Sequence, residues 1–256
     1  MNSKQILEEI FRTRIVYDAN GKQYPLDGNI DEKEGAFLQG LVRKYQPEKT
    51  IEVGCAFGIS SLYICSELEK MGQGKHHTII DGFQSTVFHN VGVSNLKKAN
   101  VDFYTLIEGL SEIELPRLLS EGKKYDFCFI DGNHTFDHTL IDFFYLNRML
   151  KVGGIMVFDD IGFPAVTKAL RYVLNYPAYQ YVDHVEVNHS GSRKMFESVV
   201  KKPLNLVAGL FSKKIRYEMF AASVNKTDKQ LHLNTSMIAL QKVKEDDREW
   251  FWYEDF

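Results

Sequence analysis

Short apolar runs alternate with helical patterns through most of this chain. Residues 49–54 (KTIEVG), 76–81 (HHTIID), 101–107 (VDFYTLI), 125–131 (YDFCFID) and 154–160 (GIMVFDD) each predict a short strand. None shows clean polar/apolar alternation, which fits strands buried on both faces. Between them the apolar residues fall at helical spacing. Ile59, Leu62 and Tyr63 open one helix; Phe136, Leu140, Phe143, Phe144 and Met149 mark another. Ser111 with Glu114 predicts a capping box at the start of a third. Strand–helix alternation of this kind implies βαβ crossovers and a parallel sheet covered on both sides.

The ends read differently. Residues 2–45 carry two helical patterns and predict a helical cap; a helix over 163–175 and a strand over 178–187 follow the fifth apolar run. Residues 190–235 form a lid or insertion in which LNLVAGLF and IRYEMFAA suggest helices. SMIALQKV (236–243) predicts a last strand, and the tail EWFWYEDF is unusually aromatic. No linker divides the 256 residues, so one domain is expected, with a cap (1–45), a core (46–189), the lid (190–235) and the last strand with its tail (236–256).

The formal charge of -3 argues against a nucleic-acid partner, which wants a clustered basic surface. No stretch approaches the roughly 18 apolar residues of a membrane span, and the first residues mix charges into a helical pattern unlike a signal peptide. Cys55, Cys65 and Cys128 lack metal-type spacing and predict buried free thiols in a reducing compartment, so a cytoplasmic protein is expected.

Ligands of open parallel sheets bind outside the carboxyl ends of the strands, where this sequence places its glycines and acids. Gly54 and Gly58 form a turn after the first strand. Their G-x-x-x-G spacing is not the G-x-G-x-x-G of a dinucleotide fold, and no P-loop lysine follows. Asp81 ends the second strand, where a carboxylate either accepts from ribose hydroxyls or merely forms an Asp-Gly turn. Phe83 lies against an adenine face or belongs to the core. Asp131, with His134 three residues on, ends the fourth strand; Asp159 and Asp160 end the fifth. Three converging carboxylates repel one another, and a divalent cation such as Mg²⁺ relieves the repulsion. Helix capping and hydrogen bonding to a cofactor are the alternatives.

IEVGCAFGISSLYI, IIDGFQS and above all FIDGNHTFDHTLIDFFYLNRMLKVGGIMVFDD resemble class I S-adenosylmethionine-dependent methyltransferases. The likeness is to the bacterial branch that includes macrolide-sugar O-methyltransferases, distantly related to catechol O-methyltransferase. It covers about 50–187 and the final strand. It implies a Rossmann-like three-layer α/β sandwich whose seven-stranded sheet is mostly parallel with the last strand antiparallel. It also implies that Glu52, Gly54 and Gly58 hold the methionine part of S-adenosylmethionine, that Asp81 holds the ribose, and that the turn with Gly109 and Ser111 surrounds the adenine. Asp131, Asp159 and Asp160 match metal-ligand positions, and His134 matches a proposed general base. Gly82 stands where this branch often has proline, and 190–232 match nothing in it.

The reaction these residues imply is Mg²⁺-assisted O-methylation of a small-molecule hydroxyl, on a sugar or other polyol, with His134 and Asp131 catalytic. A metal-independent methyltransferase and a non-catalytic binder of S-adenosylmethionine are the competing readings; the glycine spacing disfavours a dehydrogenase. Neither nucleic acid nor membrane is an expected partner. The N-terminal helices and aromatic tail either pair two chains as a homodimer or cover the sheet.

Overall fold

The computed structural model describes residues 1–186, 206–207, 209–219 and 222–256. Nine strands and nine helices are assigned among them. In chain order these are α1 (Ser3–Thr13), β1 (Ile15–Tyr17), β2 (Gln23–Pro25), α2 (Glu32–Tyr45), β3 (Lys49–Val53), α3 (Ile59–Lys70), β4 (His76–Ile80), α4 (Val91–Lys98), β5 (Tyr104–Ile107), α5 (Ser111–Ser120), β6 (Tyr125–Ile130), α6 (Phe136–Met149), β7 (Leu150–Phe158), α7 (Pro164–Val173), β8 (Tyr179–Glu186), α8 (Lys213–Met219), α9 (Ala222–Asn225) and β9 (Thr235–Lys242).

Seven strands form one sheet in the order β5-β4-β3-β6-β7-β9-β8. The first five pair in parallel, and β9 runs antiparallel to both neighbours. The Rossmann-like sandwich and its antiparallel last strand are therefore present as the sequence implied. Its apolar runs supply both faces: Phe127 and Phe129 point into one core with α1, α2, α3 and α4, whereas Cys128 and Ile130 point into the other with α5, α6 and α7. Burying a large apolar side chain contributes roughly 1.5–3 kcal/mol, so this alternation fixes the strand faces. All three cysteines are free and buried, as expected.

Three local expectations are revised. The N-terminal cap is not purely helical, because β1 and β2 form a hairpin between its two helices. The Asp18 side chain accepts the Asn20 and Lys22 amides in its turn, which lets strands of three residues form without a readable periodicity. Ser111 does not cap α5: Leu110 is the N-cap residue, and Glu114 is paired with Arg117. Among the described residues of 190–235, none lines the cavity at the carboxyl ends of the parallel strands. Arg171 of α7 bonds Asp228 and the carbonyls of Ala222 and Lys226, tying this stretch to the side of the sandwich. Residues 187–205 and 208, which include Leu204, Asn205 and Ala208 of LNLVAGLF, fall outside the described residues, whereas the IRYEMFAA segment carries most of α8 and the start of α9.

The aromatic tail divides in two. Trp252 and Phe256 pack on Tyr172 of α7, with Arg248 stacked over Tyr176 and Trp252, while Trp250, Phe251 and Tyr253 face outward. No described helix is long and apolar enough to cross a membrane.

Candidate active site

Strand register brings the site together. Val53 of β3 pairs with Ile80 of β4 and Ile130 of β6; Ile80 pairs with Ile107, and Ile130 with Phe158. The residues that follow, Gly54, Asp81, Glu108, Asp131 and Asp159, therefore leave the sheet at one level. A cavity of about 420 Å³ opens there, and Gly54, Asp81, Phe83, Gly109, Ser111, Asp131, His134, Asp159 and Asp160 all line it. Ligand cavities of drug or cofactor size span about 300–1,000 Å³.

Gly54 is required by geometry. Its φ is +89°, and a Cβ there would sit 1.9 Å from the Asp131 carbonyl oxygen. The turn beyond it is held by Asp81, whose Oδ2 accepts the amides of Cys55 (3.1 Å) and Ala56 (2.9 Å) and the Gln84 side chain (2.9 Å). Among the described residues its Oδ1 accepts only the Phe83 amide, at 2.8 Å. A carboxylate has about four acceptor sites, so Oδ1 retains capacity for a hydroxyl. Asp81 thus forms the turn and still leaves Oδ1 able to accept a further donor. Phe83 is 43% exposed and lines the cavity, which removes the core reading.

Two sequence-predicted residues stand behind the turn. Glu52 is 0% exposed and accepts hydrogen bonds from the Ser60 and Ser61 hydroxyls, fastening the start of α3 to β3. Gly58 is the N-cap of α3 with φ +79°, and a Cβ on it would meet the Gly92 backbone at 2.9 Å. Neither lines the cavity. Both shape the turn that does.

At the β6 and β7 ends three donors converge. His134 Nε2 lies 2.8 Å from Asp160 Oδ2 and 3.4 Å from Asp131 Oδ1, and one ligand atom from each residue fits within 4.8 Å of the others. Asp160 reaches this point because its backbone is left-handed (φ 55°), a strained conformation for a non-glycine residue and one that clusters at functional sites. Asp159 differs. It is 7% exposed and its Oδ1 accepts the Asp160 amide, so among the described residues the metal-type set is Asp131, His134 and Asp160.

Electrostatics follow from that crowding. Burial pushes the Asp131 and Asp159 carboxyls up, and like charges raise them further: Asp160 at the first, Asp131 and Glu34 at the second. Hydrogen bonds to Asp131 and Asp160 raise His134 to about 10. With both carboxylates in place the imidazole is therefore a cation at neutral pH and cannot accept a proton. Phe163 stacks on its ring at 5.0 Å and fixes its plane.

Sequence reasoning missed one wall. Gly28, Asn29 and Ile30 reach the cavity from the segment joining β2 to α2 and Glu34 from the first turn of α2, and Phe88, Leu110 and Phe163 add to the apolar lining. Nothing local marks 28–34 as functional, since their place over the strand ends depends on packing of the cap against α3. Phe163, three residues beyond Asp160, had a positional signal.

Residues 51–161 match the family model described as a methyltransferase domain. The chain is 31% identical over 134 residues to a caffeoyl-CoA O-methyltransferase of Stellaria longipes, covering 49% of this chain and 51% of that protein. It is 25% identical over 165 residues to catechol O-methyltransferase B of Danio rerio, covering 62% and 60%. The alignments thus span only about half to three fifths of these curated relatives. Among solved structures, an O-methyltransferase from Bacillus cereus in complex with S-adenosylhomocysteine superposes with a TM-score of 0.58 at 18% identity, over 70% of this chain and 82% of that one. At that identity the likeness speaks for the fold. The resemblance to class I S-adenosylmethionine-dependent methyltransferases is borne out.

Proposed function

We propose that this chain, whose residues 51–161 match a methyltransferase domain, is an S-adenosylmethionine-dependent O-methyltransferase acting on a small-molecule hydroxyl. One observation carries the reading: a single cavity holds the Gly54 turn with Asp81 at one end and the Asp131–His134–Asp160 cluster at the other. The β3, β4 and β5 ends form the cofactor half. There Asp81 Oδ1 takes a ribose hydroxyl, while Phe83 and the Gly109–Ser111 turn border the adenine. The β6 and β7 ends form the acceptor half.

Transfer is a displacement at carbon. The acceptor oxygen donates a lone pair to the sulfonium methyl, the carbon–sulfur bond breaks onto sulfur, and the hydroxyl proton leaves. Closeness and alignment supply much of the acceleration. Two carboxylates and an imidazole within one ligation sphere suit a divalent cation, with Asp131 and Asp160 as its main holders. Mg²⁺ favours oxygen ligands, so His134 at the same point fits it less closely than Mn²⁺ or a related ion. A bound cation would lower the acceptor hydroxyl's pKa and orient it. With a cation held on Asp131 and Asp160 alone and the imidazole left unligated, His134 would lose the charge that holds its proton and would serve as the base.

The 2.8 Å His134–Asp160 pair supports a second reading, in which the histidine itself neutralises the acids and no metal takes part. Methyl transfer from labelled S-adenosylmethionine, measured over a panel of hydroxyl acceptors before and after treatment with chelator, separates the two. Activity lost to chelator and restored by Mn²⁺ or Mg²⁺ supports the metal. Undiminished activity supports the second reading, and transfer to no acceptor opposes both.

A further inference from the structure

The acceptor half has a charge character that the sequence pattern did not reveal. Glu34 occupies the third position of α2, where its Oε2 accepts the Asp31 amide at 2.7 Å. This capping box pins the side chain. From there it lines the same cavity as Asp159 and Asp160, the two residues that follow β7. Glu34, Asp131, Asp159 and Asp160 thus line the space beyond the cofactor half. Among the described lining residues the sole basic side chain is His134, already engaged by Asp131 and Asp160, and no lysine or arginine reaches the wall.

We propose that the cavity selects uncharged or cationic hydroxyl compounds over anionic ones, and that Glu34 is a specificity-determining residue for that choice. This rests on the methyltransferase reading above. An acceptor bearing carboxylate or phosphate groups would bring like charge into a partly desolvated acidic pocket, where repulsion is screened less than in water. An ammonium group meets the same carboxylates as an attraction. The chain would then differ from the relatives named for caffeoyl-CoA, a thioester with several phosphate charges.

The test uses protein saturated with S-adenosylhomocysteine and Mn²⁺ and three ligands sharing one dihydroxyphenyl head: dopamine, 4-methylcatechol and 3,4-dihydroxybenzoate. Calorimetry should give the cation and the neutral compound at least ~10-fold tighter binding than the anion, the size expected for one unfavourable contact between partly screened charges. Glu34→Gln keeps the capping box, since glutamine serves at that position, and should shrink the preference several-fold; Glu34→Lys should reverse its sign. Equal or tighter binding of the benzoate by the wild type would overturn the proposal, as would an unchanged ranking in both variants. Binding of none of the three by protein that binds S-adenosylhomocysteine would also overturn it, leaving the cofactor site standing. Failure to bind S-adenosylhomocysteine would instead refute the reading on which it rests.

Discussion

Asp142 gives the sharpest test of the electrostatic account, because it is a buried carboxylate with no visible catalytic duty. It lies on α6, 1% exposed, behind Gly132 and beside Ser111, and among the described residues neither of its oxygens has a hydrogen-bond partner of good geometry. Burial raises its pKa from 3.8 to about 6, with the Ser111 side chain moderating the rise. The folded state therefore holds this proton more tightly than the unfolded chain does. Between those two values the folded form binds more protons, so stability falls as pH rises and stays lowered above about 6. A shift of about 2 units corresponds to about 3 kcal/mol. Asp142→Asn removes the ionisation and should raise stability by up to that amount at pH 7.5, with little gain at pH 4. For a chain of this size the change is a rise in Tm of roughly 4–10 °C. Thermal unfolding of both proteins across that pH range is the assay. A variant no more stable at pH 7.5, or one stabilised equally at pH 4, would refute the reasoning.

Other consequences can be read directly. Gly54→Ala forces a Cβ into the Asp131 carbonyl at a left-handed φ and should destabilise the protein by several kcal/mol (roughly 3 or more). Native-like Tm and S-adenosylhomocysteine affinity in this variant would count against the tight turn. Asp160→Asn removes one carboxylate from the three-donor cluster and should weaken Mn²⁺ binding at least ~10-fold by calorimetry, since even supporting partners of metal ligands are worth that much; unchanged affinity would exclude Asp160 as a ligand. Phe163→Ala loses a stacked contact worth about 0.5–1.5 kcal/mol and frees the His134 ring. A corresponding rise in acceptor KM, about 2- to 12-fold, with S-adenosylhomocysteine affinity kept, is the expected kinetic result.

The sheet was legible because both-face burial leaves continuous apolar runs such as YDFCFI and GIMVF, which few local alternatives explain. The acids at strand ends were legible for the same reason, since strand register alone sets Asp81, Asp131 and Asp159 at one level. Division of labour among them was not. Asp159 and Asp160 are adjacent in sequence, yet the left-handed turn at Asp160 sends one into the cluster and leaves the other bonding its neighbour's amide. Glu52 stood in the cofactor motif and proved to be buried beneath it, held by Ser60 and Ser61. Glu34 was invisible because its place in the cavity comes from packing between the cap and α3, which no local pattern encodes. The supposed capping box at Ser111 shows the converse: the motif was present, but Arg117 took Glu114 and the helix began without it.

The most direct test of the central claim is calorimetric titration of the folded protein with S-adenosylhomocysteine, repeated on Asp81→Asn. Asp81 both holds the glycine turn and offers the free acceptor site on Oδ1, so the account predicts micromolar binding by the wild type and a loss of at least ~10-fold in the variant, about 1.4 kcal/mol. Absence of binding by the folded wild type would contradict the account.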